Sequence, residues 1–250
     1  MNGWTYACLV VGLLFLAAPA GALIPDNITL STDTPWLTAG SGGSSTVTVE
    51  VTNGSIGVPG AAVYLAVNDS AYGSISPTRV VTDSAGRAAA TFRPGTRSGT
   101  AIITATVARE GMEPLTRNVE QKIDHATPHK IANLWYEPEV TAGETTEIVV
   151  RMVDKYGNLV DSRWENDMNG VPEKVTFMAS PPAGFEVGAS LVDEFSVPVD
   201  NAGNVTATLR VDTVAGENLV SIYPPAPIGS DMISITGEGG LPAAITQEVT

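Results

Sequence analysis

Apolar and polar residues alternate along several short stretches of this chain. Residues 46–51 read Thr-Val-Thr-Val-Glu-Val, and the same two-residue period returns at 63–67 and 205–211. Such alternation is typical of β-strands that bury one face and expose the other. Turn signals such as Asn53-Gly54 separate the stretches, and no window of a dozen residues shows a convincing helical period. The pattern predicts an all-β protein built from antiparallel β-sandwiches.

Two segments of the sequence recur in the same order. The tetrapeptide Leu-Thr-Ala-Gly at 37–40 is matched by Val-Thr-Ala-Gly at 140–143, and the stretch 83–93 is matched at 200–210. Ordered matches of this kind indicate tandem copies of one unit. We therefore expect tandem immunoglobulin-like (Ig-like) sandwiches, each with its own core. The expected boundaries are Ig-like repeat 1 at 27–124, Ig-like repeat 2 at 128–237, and the start of a possible third repeat at 238–250.

The first residues have the features of a secretory signal. Residues 7–18 form an uncharged apolar run that is too short to span a membrane. Small residues follow in an A-x-A pattern, which predicts a signal peptide at 1–22, cleaved after Ala22 or after Ala20. The alternative is a buried N-terminal strand or helix. No later stretch approaches 18 apolar residues, so we expect extracellular protein with no membrane span in this chain.

Charge and the scarcity of reactive side chains exclude several classes of function. The 250 residues include 27 acidic and 13 basic ones, and the net charge of −14 repels nucleic acid and anionic lipid. One cysteine and two histidines argue against a zinc site, an iron–sulfur cluster, a disulfide framework or a Cys–His nucleophile. We interpret His125 and His129 as solvated linker residues. The sequence predicts no enzyme and no cofactor.

Several short motifs resemble one known family. They are the Thr-Ala-Gly at 38–40, an Asp-Lys-Tyr-Gly-Asn turn at 154–158, and a D-x-x-G-x-A-x-x-T segment at 83–91. In this order the chain resembles the bacterial Ig-like group 1 repeats, the stalk modules of invasin and intimin adhesins. The resemblance implies a spacer in extracellular surface proteins, without catalysis. Repeat 1 departs from it, because Thr-Asn-Gly-Ser at 52–55 stands where the Asp-Lys-x-Gly-Asn turn belongs.

Two functions remain open at this point. The first is a non-catalytic structural or adhesive spacer of a cell-surface or cell-envelope protein, with surface proteins or glycans as partners. The alternative is a carbohydrate-binding accessory module, in which Trp36, Trp135 or Trp164 would stack on sugar rings. The glycine-free, proline-ended connection at 123–128 favours the spacer, because such a linker is expected to be stiff and extended.

Glycosylation is the first kind of site that the sequence predicts. Asn-x-Ser/Thr sequons are acceptors on the surface loops of secreted proteins when the host glycosylates them. Such sequons occur at Asn27, Asn53, Asn68 and Asn204.

An acidic loop in repeat 2 is the second candidate. Its carboxylate and amide oxygens at Asp161, Asp167 and Asn169 are candidate ligands for Ca²⁺, and Trp164 is a candidate partner contact. Asx-rich loops more often bond to themselves, so a plain loop is the alternative. The same chemistry predicts that Asp83 and Asp200 bond the backbone of their own turns rather than a metal.

Overall fold

The computed structural model describes residues 23–163 and 172–240, and these residues form two β-sandwiches without a helix. No helix in this described part is long and apolar enough to cross a membrane. The predicted signal peptide at 1–22, most of the acidic loop (164–171) and residues 241–250 of the possible third repeat lie outside the described residues.

Repeat 1 has two sheets that pack face to face. In chain order its strands are β1 (Asn27–Thr32), β2 (Trp36–Thr38), β3 (Ser45–Asn53), β4 (Ile56–Gly57), β5 (Ala62–Val67), β6 (Gly73–Ser76), β7 (Arg79–Val81), β8 (Arg87–Pro94), β9 (Gly99–Arg109) and β10 (Met112–Asp124). One sheet has the order β1-β3-β8-β6, with β4 beside β3, and the other has the order β2-β10-β9-β5-β7.

Repeat 2 has the corresponding arrangement. Its strands are β11 (Pro128–Tyr136), β12 (Glu139–Thr141), β13 (Thr145–Asp154), β14 (Lys174–Ala179), β15 (Gly184–Val187), β16 (Ser190–Val192), β17 (Glu194–Pro198), β18 (Val205–Arg210), β19 (Gly216–Tyr223) and β20 (Asp231–Glu238). The sheets have the orders β11-β13-β18-β15-β16 and β12-β20-β19-β14-β17. Pairing is antiparallel except for two short parallel pairs, β2 with β10 and β12 with β20.

The apolar residues of the alternating stretches face the core, as the sequence predicts. The side chains of Val47, Val49 and Val51 on β3 are fully buried, as are those of Val205 and Leu209 on β18. The buried apolar side chains form two separate clusters, one within each repeat. Each sandwich therefore packs around its own core, and the predicted all-β sandwich fold is confirmed.

The connection between the repeats is shorter than the sequence suggests. Strand β10 continues through Asp124 and β11 begins at Pro128, so only residues 125–127 lie between strands. Ile123, expected in the linker, is fully buried at the end of β10. The parallel pairing of β2 with Lys122, Ile123 and Asp124 is what extends the strand.

Candidate functional site at the junction between the sandwiches

The turn at 154–158, which follows β13, is held together by one buried carboxylate. Asp154 Oδ1 accepts hydrogen bonds from the amides of Tyr156 (2.8 Å) and Asn158 (2.9 Å). Gly157 has a φ of +87°, a left-handed conformation that glycine adopts without steric cost. Asp154 is only 1% exposed, so its second oxygen also needs a donor. Oδ2 has two donors, the side-chain amide of Asn158 and the backbone amide of Ala126, each at 2.8 Å.

Asn158 joins repeat 2 to repeat 1 through two hydrogen bonds. Its Nδ2 donates to the carbonyl of Thr96 at 2.8 Å, and its Oδ1 accepts from the amide of Ser98 at 2.9 Å. Both backbone groups belong to the loop between β8 and β9. One side-chain amide thus satisfies a donor and an acceptor in the opposite sandwich, which fixes both the distance and the orientation of the contact.

Tyr156 occupies a space above repeat 1 that only a glycine leaves open. Its ring lies over Gly40, and its hydroxyl is 3.5 Å from the Gly40 carbonyl oxygen. A Cβ placed on Gly40 would lie 2.1 Å from that hydroxyl, and Gly40 itself has a φ of +63°. The glycine of the Thr-Ala-Gly motif therefore makes room for the neighbouring repeat as well as forming a turn.

His125 lies inside the junction, so its interpretation as a solvated linker residue is wrong. Its side chain is 4% exposed, because β10 extends to Asp124 and places the imidazole among acidic groups. Nδ1 is 2.7 Å from the carbonyl of Ala126, and Nε2 is 3.9 Å from Asp124 and 3.8 Å from Glu173. His129 is exposed on β11, as expected of a solvated residue.

The surroundings of His125 favour its charged form. Burial alone lowers its pKa, but the Ala126 carbonyl and the carboxylates of Asp124, Glu173 and Asp161 outweigh burial and raise the pKa above 6.5. For Asp124, burial disfavours the charged carboxylate and raises the pKa above 3.8, although the charge of His125 acts to lower it. Asp161 in turn pairs with Arg163, whose Nε lies 2.8 Å from its Oδ1.

The raised pKa values predict that stability falls as pH rises. A group with a raised folded-state pKa binds its proton more tightly when folded, so it stabilises the protein fully below the unfolded pKa. For His125 the loss begins near 6.5 and is complete above the folded pKa, and Asp124 acts in the same direction at lower pH. Denaturant unfolding should therefore give a lower free energy at about pH 9 than at about pH 6. In His125→Gln this slope should largely disappear, and an unchanged slope would contradict the assignment.

The acidic loop and the turn aspartates bond locally in the described part of the chain. Asp161 is 2% exposed, and its Oδ1 accepts from the backbone and Nε of Arg163. Asp83 and Asp200 each accept from the amides two and four residues further on, which confirms them as turn residues. Among the described residues, no group of three His, Cys, Asp or Glu side chains could hold a metal ion. The Ca²⁺ site stays a prediction, because Asp167 and Asn169 lie outside that part.

The predicted glycosylation sites differ in exposure. Asn27 and Asn68 are exposed, whereas Asn53 and Asn204 are half-buried. The side chain of Asn53 donates to Ile24 and that of Asn204 accepts from Arg151. Their use as glycan acceptors stays a prediction.

The two candidate sugar-stacking tryptophans that the structure describes lie on different repeats. Trp36 is half-buried on β2 of repeat 1, and Trp135 is 47% exposed on β11 of repeat 2. Trp164, the candidate partner contact, lies outside the described residues. Sequence reasoning instead missed Asn158, Tyr156 and Gly40 as junction residues. Their motifs were visible, but nothing in the pattern indicated that the turn of one repeat contacts the glycine of the other.

Comparison with known proteins supports the fold. Neither a protein-family model nor a curated protein sequence matches the chain. It is similar to the solved structure of Yersinia pseudotuberculosis InvD, with 20% identity, a TM-score of 0.57, and coverage of 89% of this chain and 60% of InvD. Two further similar structures are the Escherichia coli adhesin FdeC (17%, TM-score 0.46, 85% and 64% coverage) and the D0-D1 domain of intimin (16%, 0.34, 85% and 99%).

The likeness to InvD confirms at the level of the fold that the chain resembles invasin-type Ig-like repeats. The chain spans about three-fifths of that InvD structure. This likeness bears on the fold alone.

Proposed function

We propose that this chain is a non-catalytic, extracellular spacer of a cell-surface or cell-envelope protein, in which two sandwiches are held end to end. The observation that carries the proposal is the pair of hydrogen bonds from Asn158 to Thr96 and Ser98. A flexible connection would need no such contact. A side chain that bonds both a carbonyl and an amide of the next domain restricts bending and rotation together.

The topology supports an end-to-end contact. On repeat 1, the contacting loops are the β2–β3 turn with Gly40 and the β8–β9 loop with Thr96, next to the end of β10. On repeat 2, they are the start of β11 and the turn after β13, which meet at the same end because β11 and β13 are antiparallel. Repeats that contact only their neighbours in this way supply length and stiffness.

The remaining features fit an exposed position on a cell surface. The predicted signal peptide would direct export, and the net charge of −14 keeps such a rod soluble and apart from anionic lipid. Surface proteins or glycans are the proposed partners. The likeness to InvD supports the sandwich fold on which the proposed spacer depends.

Removing the Asn158 side chain should loosen the rod without unfolding either sandwich. Asn158→Ala deletes two hydrogen bonds across the junction, which are together worth about 1–3 kcal/mol. Small-angle scattering of residues 23–250 should then show a broader distribution of long distances. Asn204→Ala is the matched control, because Asn204 ends the equivalent turn at Asp200 and bonds within repeat 2. The spacer proposal fails if the native protein scatters as a compact side-by-side pair, or if both variants scatter as the native chain does.

A further inference from the structure

The end of repeat 1 that receives repeat 2 has a defined backbone framework. The amide of Ala39 donates to Asp124 at 2.8 Å, and the amide of Gly40 donates to Gly95 at 2.6 Å. These bonds tie the Thr-Ala-Gly turn to the end of β10 and to the β8–β9 loop. We call the surface that they support, formed by Gly40, Thr96 and Ser98, the acceptor face of repeat 1.

The same framework recurs at the far end of repeat 2. The amide of Ala142 donates to Glu238 at 2.7 Å, and the amide of Gly143 donates to Asp212 at 2.8 Å. The turn again lies between the first parallel strand and the next, and the loop again precedes the strand that corresponds to β9. Gly143, Thr213 and Ala215 hold the positions of Gly40, Thr96 and Ser98. We call them the distal face of repeat 2.

Two backbone groups of the distal face have no hydrogen-bond partner among the described residues, whereas the Gly143 carbonyl accepts from Arg210 Nη1 at 3.3 Å. On the acceptor face, the Thr96 carbonyl and the Ser98 amide bond to Asn158. The equivalent Thr213 carbonyl and Ala215 amide form no hydrogen bond within the described residues, and both residues are exposed. Val214 between them is 68% exposed.

The distal face also has space for an aromatic ring. Gly143 has a φ of +83°, close to the +63° of Gly40. A Cβ on Gly40 would lie 2.1 Å from the Tyr156 hydroxyl and 2.3 Å from its ring. Among the described residues, a Cβ on Gly143 would meet nothing nearer than the Thr213 methyl group at 3.5 Å. No described residue therefore fills, above repeat 2, the place that Tyr156 fills above repeat 1.

The near end of repeat 1 lacks the complementary turn. Its β3–β4 hairpin is short and is bonded by the preceding segment: the amide of Gly54 donates to Asp26 at 2.8 Å, and Asn53 donates to Ile24 at 2.7 Å. The turn of repeat 2 is already engaged with repeat 1. The occupant of the distal face is therefore not a second copy of this chain.

We propose that the distal face of repeat 2 is a docking surface for a further Ig-like domain with an Asp-x-aromatic-Gly-Asn turn. The asparagine of that turn bonds the Thr213 carbonyl and the Ala215 amide, and its aromatic ring lies over Gly143. This inference rests on the proposed spacer function and gives the rod a direction, since contact is made from the distal face of one repeat to the turn of the next.

A three-repeat protein tests the proposal. The chain is extended after Glu238 by a second copy of residues 125–238, and amide hydrogen exchange is measured at Ser98 and Ala215. Ser98 reports the first junction and Ala215 the second. We expect the Ala215 amide to exchange at least tenfold more slowly than in the two-repeat chain. Replacing the asparagine of the added turn by alanine should abolish this protection and leave Ser98 unchanged.

A variant on the other side of the contact covers the case in which the altered turn misfolds. Gly143→Ala in the three-repeat chain should remove the protection of Ala215 by blocking the aromatic ring, with the added copy intact. If Ala215 exchanges equally fast in the two- and three-repeat chains while Ser98 stays protected, the docking surface is refuted and the spacer function stands. If Ser98 is unprotected in every chain, the first junction, and with it the spacer function, is refuted.

Discussion

Leu209→Ala should lower the free energy of unfolding of repeat 2 by about 2–5 kcal/mol, the usual cost of truncating a buried leucine. Leu209 is 0% exposed on β18, where its neighbours are Thr146 of β13 and Phe185 of β15. The lost packing leaves a cavity that two flanking strands cannot close. Denaturant unfolding of the full chain should show the transition of repeat 2 displaced and that of repeat 1 unchanged.

The matched control is Leu191→Ala, because Leu191 is 47% exposed on the edge strand β16 of the same sheet. An exposed position of this kind is expected to change stability by less than about 0.5 kcal/mol. Equal effects of the two substitutions would mean that β18 has the opposite register, with its apolar residues facing water.

Gly40→Ala should separate the two repeats. The new methyl group would lie 2.1 Å from the Tyr156 hydroxyl, so the ring must leave its position and release the turn that carries Asn158. Alanine in a left-handed conformation also costs about 1–2 kcal/mol locally. We expect loss of hydrogen-exchange protection at Ser98 and a broader span in small-angle scattering, with both sandwiches folded.

Gly143→Ala in the two-repeat chain separates the cost of a left-handed alanine from the clash with Tyr156. It imposes the same local cost, since the φ of Gly143 is +83°, but no ring of a described residue lies above it. Its destabilisation should resemble that of Gly40→Ala, while the protection of Ser98 stays native. If Gly40→Ala also leaves Ser98 protected, Tyr156 does not hold the junction.

The sequence attributes the expected stiffness to the linker, whereas the structure adds contacts between the two domains. A glycine-free connection ending in proline favours an extended linker, but only residues 125–127 lie between β10 and β11. The contacts around those residues, from Asp154 to Ala126 and from Asn158 to Thr96 and Ser98, are made by folded domains. The restraint is therefore a property of two surfaces as well as of linker composition.

His125 shows why a linker residue is difficult to interpret from sequence. Its neighbours Asp124 and Ala126 give no sign of burial, and the four-residue spacing of His125 and His129 has no meaning outside a helix. The parallel pair of β2 and β10 extends the strand to Asp124, and Glu173 approaches from repeat 2. Both contacts are distant in sequence, so no local pattern contains them.

The sequence by itself determined the strands, the turns, the tandem repeat and the buried faces, because alternation and Asx-turn chemistry are local. Asp83 and Asp200 bond amides only two and four residues away. The tertiary structure alone decided which loops of the two repeats meet, since Asn158 bonds partners 60 and 62 residues earlier in the chain. Those contacts join loops that two separate cores hold at facing ends of the sandwiches. Residues far apart in sequence are therefore neighbours only in the folded protein, where both sandwiches are present.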